Sequence, residues 1–314
     1  MRAWRIRRYG GPEVLALEEA PAPQPGPGDV LVRVAAASAN PSDWLLREGR
    51  LQRAFPVTFP RTLGRDCAGT VVAVGGDVAD LAAGDEVLGV SAPDRDGTHA
   101  GFARLGAGAV VPRPPTLAPA AATTLGVAAL SAYIPLVELA RVAAGERVLV
   151  HAGAGGVGHF AIQIARHLGA EVSATCSARN ADFCRALGAH RVIDYAREDF
   201  AAVARGCDVI LDTLGGEVHA RSAAALAPGG RLVYLIAGPL PPVTRTDIEV
   251  LNGPIVATRE RLGRIAGWAA AGVLKPHVER IYAFEDAPAM YAASERRHGR
   301  GKLVLETGAG ADAR

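Results

Sequence analysis

One stretch constrains this chain more than any other: RVLVHAGAGGVGHFAIQIARHLGAEV, Arg147 to Val172. β-favouring residues, a glycine-dense turn and a helical run follow one another without a linker. Gly153, Gly155 and Gly158 fit G-x-G-x-x-G, and the match lies after a predicted strand and at the start of a predicted helix, where that spacing has a mechanism. The first glycine permits the tight turn, the second lets backbone approach a diphosphate, and the third lets helix and strand pack closely. The helix start beyond them presents unpaired N–H groups and the positive end of its dipole. Gly153, Ala154, Gly155, Gly156, Val157 and Gly158 together form the candidate cradle, and a plain strand-to-helix connection is the alternative.

The texture on either side fits a layered α/β unit. RVLVHA, EVSATC, RVID, CDVILDT and RLVYLI are strand-like, and helical runs such as HFAIQIARHLGA and ARNADFCRALGA fill the gaps. Continuously apolar strands joined by helices predict a buried parallel sheet. Residues 1–120 differ: DVLVRVAAAS, CAGTVVAVG and DEVLGV are short strands between turns such as PGPGD and AAGD. The expected fold is α/β, a Rossmann-type doubly wound parallel sheet over 121–282. A mostly antiparallel β domain is built from 1–120 and 283–314, closing on the strand KLVLE and a frayed tail TGAGADAR.

Composition narrows the function classes. The chain has 34 basic and 32 acidic side chains, a net charge of +2 without a basic cluster, which argues against nucleic acid as a partner. No run of about 18 residues reads as continuously apolar, so no membrane span is expected, and the N-terminus lacks the pattern of a secretory signal. Four cysteines without a CxxC spacing read as reduced thiols in a cytoplasmic protein.

The end of the second strand selects the dinucleotide. An NAD site places Asp or Glu about 20 residues beyond the glycines, to hold the ribose 2′-OH. Here the sequence is ATCSARNAD: Ser177 and Arg179, with no acid before Asp182. A hydroxyl and a guanidinium suit a 2′-phosphate, and Tyr195, after the third strand, adds a further hydroxyl. The expected cofactor is NADPH. The alternative is that Ser177 caps the next helix and Arg179 is a solvated charge.

The order of these parts resembles the medium-chain dehydrogenase/reductase superfamily. The likeness runs from YGGPEVLALEEAPAPQPGPGDVLVRVAAASANPSDW through GRDCAGTVVAVG, GDEVLG and AGAGGVG to DTLGGEVHARSAAALAPGGRLV and GRGKLVLE. Within it, the chain is most similar to the zinc-independent quinone oxidoreductase branch, which implies a GroES-like catalytic domain beside the Rossmann domain. Zinc enzymes of the superfamily carry Cys where this chain has Asn40, and His-Glu where it has Arg65-Asp66. A neutral amide and a guanidinium are poor zinc ligands, and Ser91 to Gly108 holds no cysteine for a structural zinc lobe. Cys67 reads as a small buried residue, and His99, His151 and His159 have no ligand spacing. No metal is expected.

The resemblance places Asn40 and Asp43 beside the nicotinamide and acceptor, the alternative for ANPSDW being a turn and a helix cap. Tyrosines that the branch carries just after this motif are replaced by Leu45 and Leu51. Tyr133 is a candidate pocket residue or packing, Trp44 a stacking wall or core, and Lys302 a cofactor contact or a strand-end cap. What the resemblance implies is hydride transfer from NADPH to a quinone or an α,β-unsaturated carbonyl, by a homodimer formed along a Rossmann edge strand; RLVYLIAGPLPP is the candidate edge, the alternative being that its prolines just end the strand. No acid stands out as proton source, which leaves water or a cofactor ribose hydroxyl. Enoyl-thioester reduction, a zinc alcohol dehydrogenase and an NADPH-binding protein without turnover are the rivals.

Overall fold

The computed structural model describes residues 1–236 and 238–308. Most of the expected frayed tail, 309–314, lies outside the described residues, as does Ala237 within the expected edge segment. The chain divides into two compact units. The first holds Met1–Val127, Val256–Gly272 and Pro276–Arg314; the second holds Ala128–Ile255 and Val273–Lys275. The partition expected from sequence puts 256–272 with the Rossmann unit, whereas its helix, Arg259–Ala270, packs in the first unit against the strand Val110–Pro112.

In chain order, the first unit begins with β1 (Arg2–Ile6), β2 (Leu15–Glu19), β3 (Asp29–Ser38) and β4 (Arg61–Thr62), then β5 (Asp66–Val74), β6 (Glu86–Val90), β7 (Phe102–Gly106) and β8 (Val110–Pro112). The second unit supplies β9 (Arg147–Val150), β10 (Glu171–Cys176), β11 (Arg191–Asp194), β12 (Cys207–Asp212), β13 (Leu226–Tyr234) and β14 (Glu249–Leu251). The chain then returns to the first unit with β15 (Val278–Ala283) and β16 (Lys302–Glu306).

The first unit is built on β3, whose alternate residues Val30, Val32 and Val34 enter one core with Val71, Val87 and Leu105. That period of two is what a pleated strand imposes. β3 pairs antiparallel with β5, β7 and β16, so the last strand of the described chain, KLVLE, closes onto the third. Val304 faces Ser38 in that register, which brings the start of β16 to the end of β3. Trp44 packs with Trp4, Tyr282, Phe284 and Tyr291, which settles it as core. Cys67 is buried in the core under β3, as expected of a small apolar side chain.

The second unit is a six-stranded, wholly parallel sheet in the order β11-β10-β9-β12-β13-β14. Strand order reverses beside β9, the switch point at which such sheets bind ligands. The expected edge segment lies one strand further in, because β13 pairs with β12 on one side and β14 on the other. β14 is three residues, too short to declare itself in sequence. One further expectation is corrected: by length and composition the helical stretch Pro119–Leu139 is apolar enough to cross a membrane. Its window is 83% buried inside the molecule, the state of a core helix.

Candidate functional site

Two sets of residues were expected to carry function, one in each unit. In the second, β9 ends at Val150 and the helix Gly158–His167 begins after the turn 151–157. Gly153 N–H donates to Thr175 O at 2.8 Å, tying the turn to the end of β10. A Cβ on Gly158 would lie 2.2 Å from Ala152 O and 2.7 Å from Gly153 Cα, so helix and turn touch there backbone to backbone. A Cβ on Gly155 would meet only Ala152 O, at 3.3 Å, leaving its other side open. Among the described residues, the N–H groups of Gly156, Val157 and Gly158 have no acceptor within the chain. Three orphan donors where the turn enters a ten-residue helix suit a diphosphate.

The neighbouring strand ends complete this edge. Ser177 follows β10 in extended conformation (φ −76°, ψ 153°) and leads the turn Ala178–Asn180 without capping it through its side chain. Arg179 is exposed, and Tyr195 is 58% exposed after β11, with its N–H on Cys176 O. The adjacent carboxylate, Asp194, turns into its own loop, accepting from Ala196 N–H at 3.2 Å and lying 3.7 Å from Arg197. A hydroxyl, a phenol and a guanidinium therefore surround the strand ends without a free carboxylate between them. These residues fit NADPH. Buried His151 sits below the edge, between Thr175 Oγ1 at 3.2 Å and Ser222 Oγ at 2.9 Å.

In the first unit, Asn40 is the N-cap of the helix Pro41–Arg47, with Pro41 preorganising its first turn. Asp43, at the third helical position, accepts from Asn40 N–H at 2.7 Å. The cap reading thus holds for the Asp43 carboxylate and the Asn40 backbone. The Asn40 side chain goes elsewhere: Nδ2 donates to Asp66 at 2.8 Å, and Oδ1 accepts from the Lys302 ammonium at 2.6 Å. The second Nδ2 hydrogen has only a 3.5 Å contact with Ser38 O.

For Lys302 the sequence leaves a cofactor contact or a strand-end cap open. Because β16 begins where β3 ends, its buried ammonium donates to Ala39 O at 2.6 Å and Asn40 Oδ1, 3.9 Å from Asp66. Burial pulls its pKa below the usual lysine range, opposed by Asp66 and Asp43. Asp66 is fully enclosed and satisfied by Ser38 Oγ at 2.7 Å, Asn40 Nδ2 and Val127 N–H at 2.7 Å. Gly126 makes that last bond accessible, since a Cβ there would fall 2.3 Å from Asp66 Oδ1.

Asp43 was legible in the sequence as a site candidate, but its shifted titration was not. Burial raises its pKa to about 7; the Asn40 N–H, Lys302 and Arg65 oppose the rise, and Asp66 adds to it. It lines a cavity of about 30 Å³ with Ser42, Leu51, Phe55, Arg61 and Arg65. Leu51 therefore faces this space, while Leu45 packs on the aromatic core. Tyr133 is buried at the end of the helix Val127–Tyr133. His99 is neutral, pushed to about 4 by burial, with Nδ1 2.6 Å from the Tyr291 hydroxyl. A signal for Asp66 existed: an acid heading the otherwise apolar run CAGTVVAV.

A GroES-like antiparallel unit and a Rossmann unit with a phosphate-ready glycine turn define a dinucleotide-dependent dehydrogenase/reductase architecture. Residues 26–114 match the family described as alcohol dehydrogenase GroES-like domain, and 187–305 that described as zinc-binding dehydrogenase. The NADPH-dependent alkenal/one oxidoreductase of Arabidopsis thaliana chloroplasts is 31% identical over 97% of this chain and 79% of its own length. The Escherichia coli quinone oxidoreductase, solved in complex with NADPH, superposes with a TM-score of 0.88 at 27% identity, over 98% of this chain and all of that one. The chain is also 36% identical, over 96% of its length, to the spectinabilin polyketide synthase system protein NorB of Streptomyces orinoci, of which it spans 14%. The chain belongs to the medium-chain dehydrogenase/reductase superfamily, in its quinone oxidoreductase-like branch.

The zinc that one family description implies does not fit these residues. Asn40 Oδ1 already accepts from an ammonium, Arg65 keeps its proton, and Asp66 has its oxygens taken up by Ser38, Asn40 and Val127. A divalent cation at this place would meet two fixed positive charges with a single carboxylate to offset them.

Proposed function

We propose that this chain is an NADPH-dependent, zinc-independent oxidoreductase that reduces a quinone or an α,β-unsaturated carbonyl compound. The observation that carries the reading is the carboxyl edge of the parallel sheet. Three unpaired N–H groups lie there, with Ser177, Arg179 and Tyr195 at the strand ends and Asp194 turned away. Bound there, NADPH supplies a hydride from its nicotinamide ring. The turn 153–158 holds the pyrophosphate, and the Arg179 guanidinium with the two hydroxyls takes the 2′-phosphate.

The first unit handles charge and proton. On an enone, hydride forms a new C–H bond at the β carbon, and the C=C electron pair shifts toward the carbonyl oxygen. Asn40 is fixed between Lys302 and Asp66, and its second Nδ2 hydrogen is free of a short bond, so it donates to that oxygen; the Lys302 charge behind it reinforces the field. Asp43 keeps its proton up to about pH 7 and delivers it as the α C–H bond forms. Its O–H bond breaks, and solvent restores it.

The reading extends to a cytoplasmic homodimer, in keeping with four buried free cysteines and an open sheet edge at β14. The test is an acceptor screen with quinones and enones, following loss of reduced-cofactor absorbance with NADPH and NADH in parallel. Turnover with NADPH preferred over NADH is the expected result. No oxidation of either cofactor by any acceptor sinks the proposal.

A further inference from the structure

Arginines in the first unit commonly meet a carboxylate: Arg7 lies 2.8 Å from Glu18, Arg47 2.8 Å from Glu295, and Arg95 2.5 Å from Asp29. Arg61 and Arg65, which line the cavity beside Asp43, do not. Arg61 is only 7% exposed and gives one terminal nitrogen to Pro93 O at 2.8 Å. Arg65 gives Nε to Ser91 O at 2.5 Å. Among the described residues, neither guanidinium has a carboxylate oxygen within 4.0 Å, and no other hydrogen bond engages their remaining nitrogens. Asp94 and Asp96 face Arg61 from beyond that distance, and Asp43, Asp66 and Asp94 face Arg65.

Arg61 is buried and Arg65 half-buried, and drawing a guanidinium even part-way from water without a paired anion is unfavourable, so two of them on one small cavity suit a ligand that brings the charge. The cavity, about 30 Å³, has room for a group the size of a carboxylate. Leu46, Leu51, Phe55 and Leu63 give it an apolar side, which suits the short hydrocarbon joining that carboxylate to a reactive double bond. Asp43, neutral below about pH 7, does not supply the missing counter-charge.

We propose that Arg61 and Arg65 form a carboxylate subsite, and that the preferred acceptor is an α,β-unsaturated ketone bearing a carboxylate. This rests on the reductase reading above and names the substrate class of that site. The carboxylate is bound and unchanged: hydride and proton add across the C=C bond, NADPH is oxidised, and the guanidinium forks hold the anion in two-point hydrogen bonds.

The experiment compares trans-4-oxopent-2-enoate with its methyl ester, at fixed NADPH. The wild type is expected to favour the acid in kcat/KM by about tenfold to a hundredfold, the range of one charged hydrogen-bonded contact. Arg65→Gln is expected to bring the acid-to-ester ratio to near unity, through KM rather than kcat, and Arg65→Lys to keep part of the preference. Calorimetry with the saturated product 4-oxopentanoate reads the same subsite without turnover: binding is expected in the wild type and lost in R65Q, with unchanged circular dichroism showing that R65Q is folded. Equal kcat/KM for acid and ester in the wild type, or equal losses for both in R65Q, overturns the subsite. If the ester and quinones are reduced without acid preference, the reductase reading survives and the subsite alone fails; if no acceptor oxidises NADPH, both fall.

Discussion

A carboxyl group enclosed beside another carboxylate costs less neutral than charged, and this sets what Asp43 contributes. Its pKa is about 7 in the folded chain against an ordinary 3.8. Below pH 4 both folded and unfolded forms carry the proton. From about 4 to about 7 the unfolded chain releases it and the folded chain keeps it, so stability drains away through that window and levels off above it. Asp43→Asn removes the titration while leaving an oxygen for the Asn40 N–H. Thermal melts across pH should show the variant gaining on the wild type between pH 4 and 7; parallel curves would mean that Asp43 titrates normally. In kinetics the same group predicts wild-type kcat falling as pH rises through about 7, with D43N slow and flat. Lys302 gives a second residue-scale expectation. Lys302→Met leaves Asn40 Oδ1 without its donor and Asp66 without its nearby charge, at a cost of about 3 kcal/mol by urea unfolding. A loss below about 1 kcal/mol would show that the buried charge is incidental.

At the level of elements, the glycine turn separates packing from binding. Gly158→Ala drives a methyl into Ala152 O and Gly153 Cα, so helix and strand must part, and both stability and NADPH affinity should fall. Gly155→Ala meets only Ala152 O at 3.3 Å, so it should leave the melting temperature within a few degrees while weakening NADPH by about tenfold or more. Calorimetry on the two variants decides, and equal stability losses would remove the distinction. Much of this was legible in sequence, because β9 and β12 carry unbroken apolar runs and the turn residues have few other uses. β10, β11, β3 and β16 have the bounds that the pattern implies. The first-unit cluster was less legible for a physical reason. Asp66, Lys302 and Gly126 lie far apart in the chain, and only the pairing of β16 with β3 and the packing behind β5 bring them to Asn40. Local pattern reports periodicity; it does not report which buried charges the topology will bring together.

At the scale of the whole molecule, the open question is how the parallel sheet ends. β14 is the terminal strand of its order, and Val250 on it is 41% exposed, an apolar side chain on an edge whose outer N–H and C=O groups pair with no further strand among the described residues. Such an edge is a template for another strand unless something covers it. A second copy related by a two-fold axis would satisfy both edges at once, strand against identical strand. Val250→Pro removes a backbone donor from that edge and fixes φ, without touching the cofactor turn or the Asn40 cluster. Sedimentation at micromolar concentration is expected to give a dimer for the wild type and a monomer for V250P, with NADPH affinity retained by both. A wild-type monomer, or a V250P dimer, would place the association elsewhere and leave β14 as an edge kept single by its shortness.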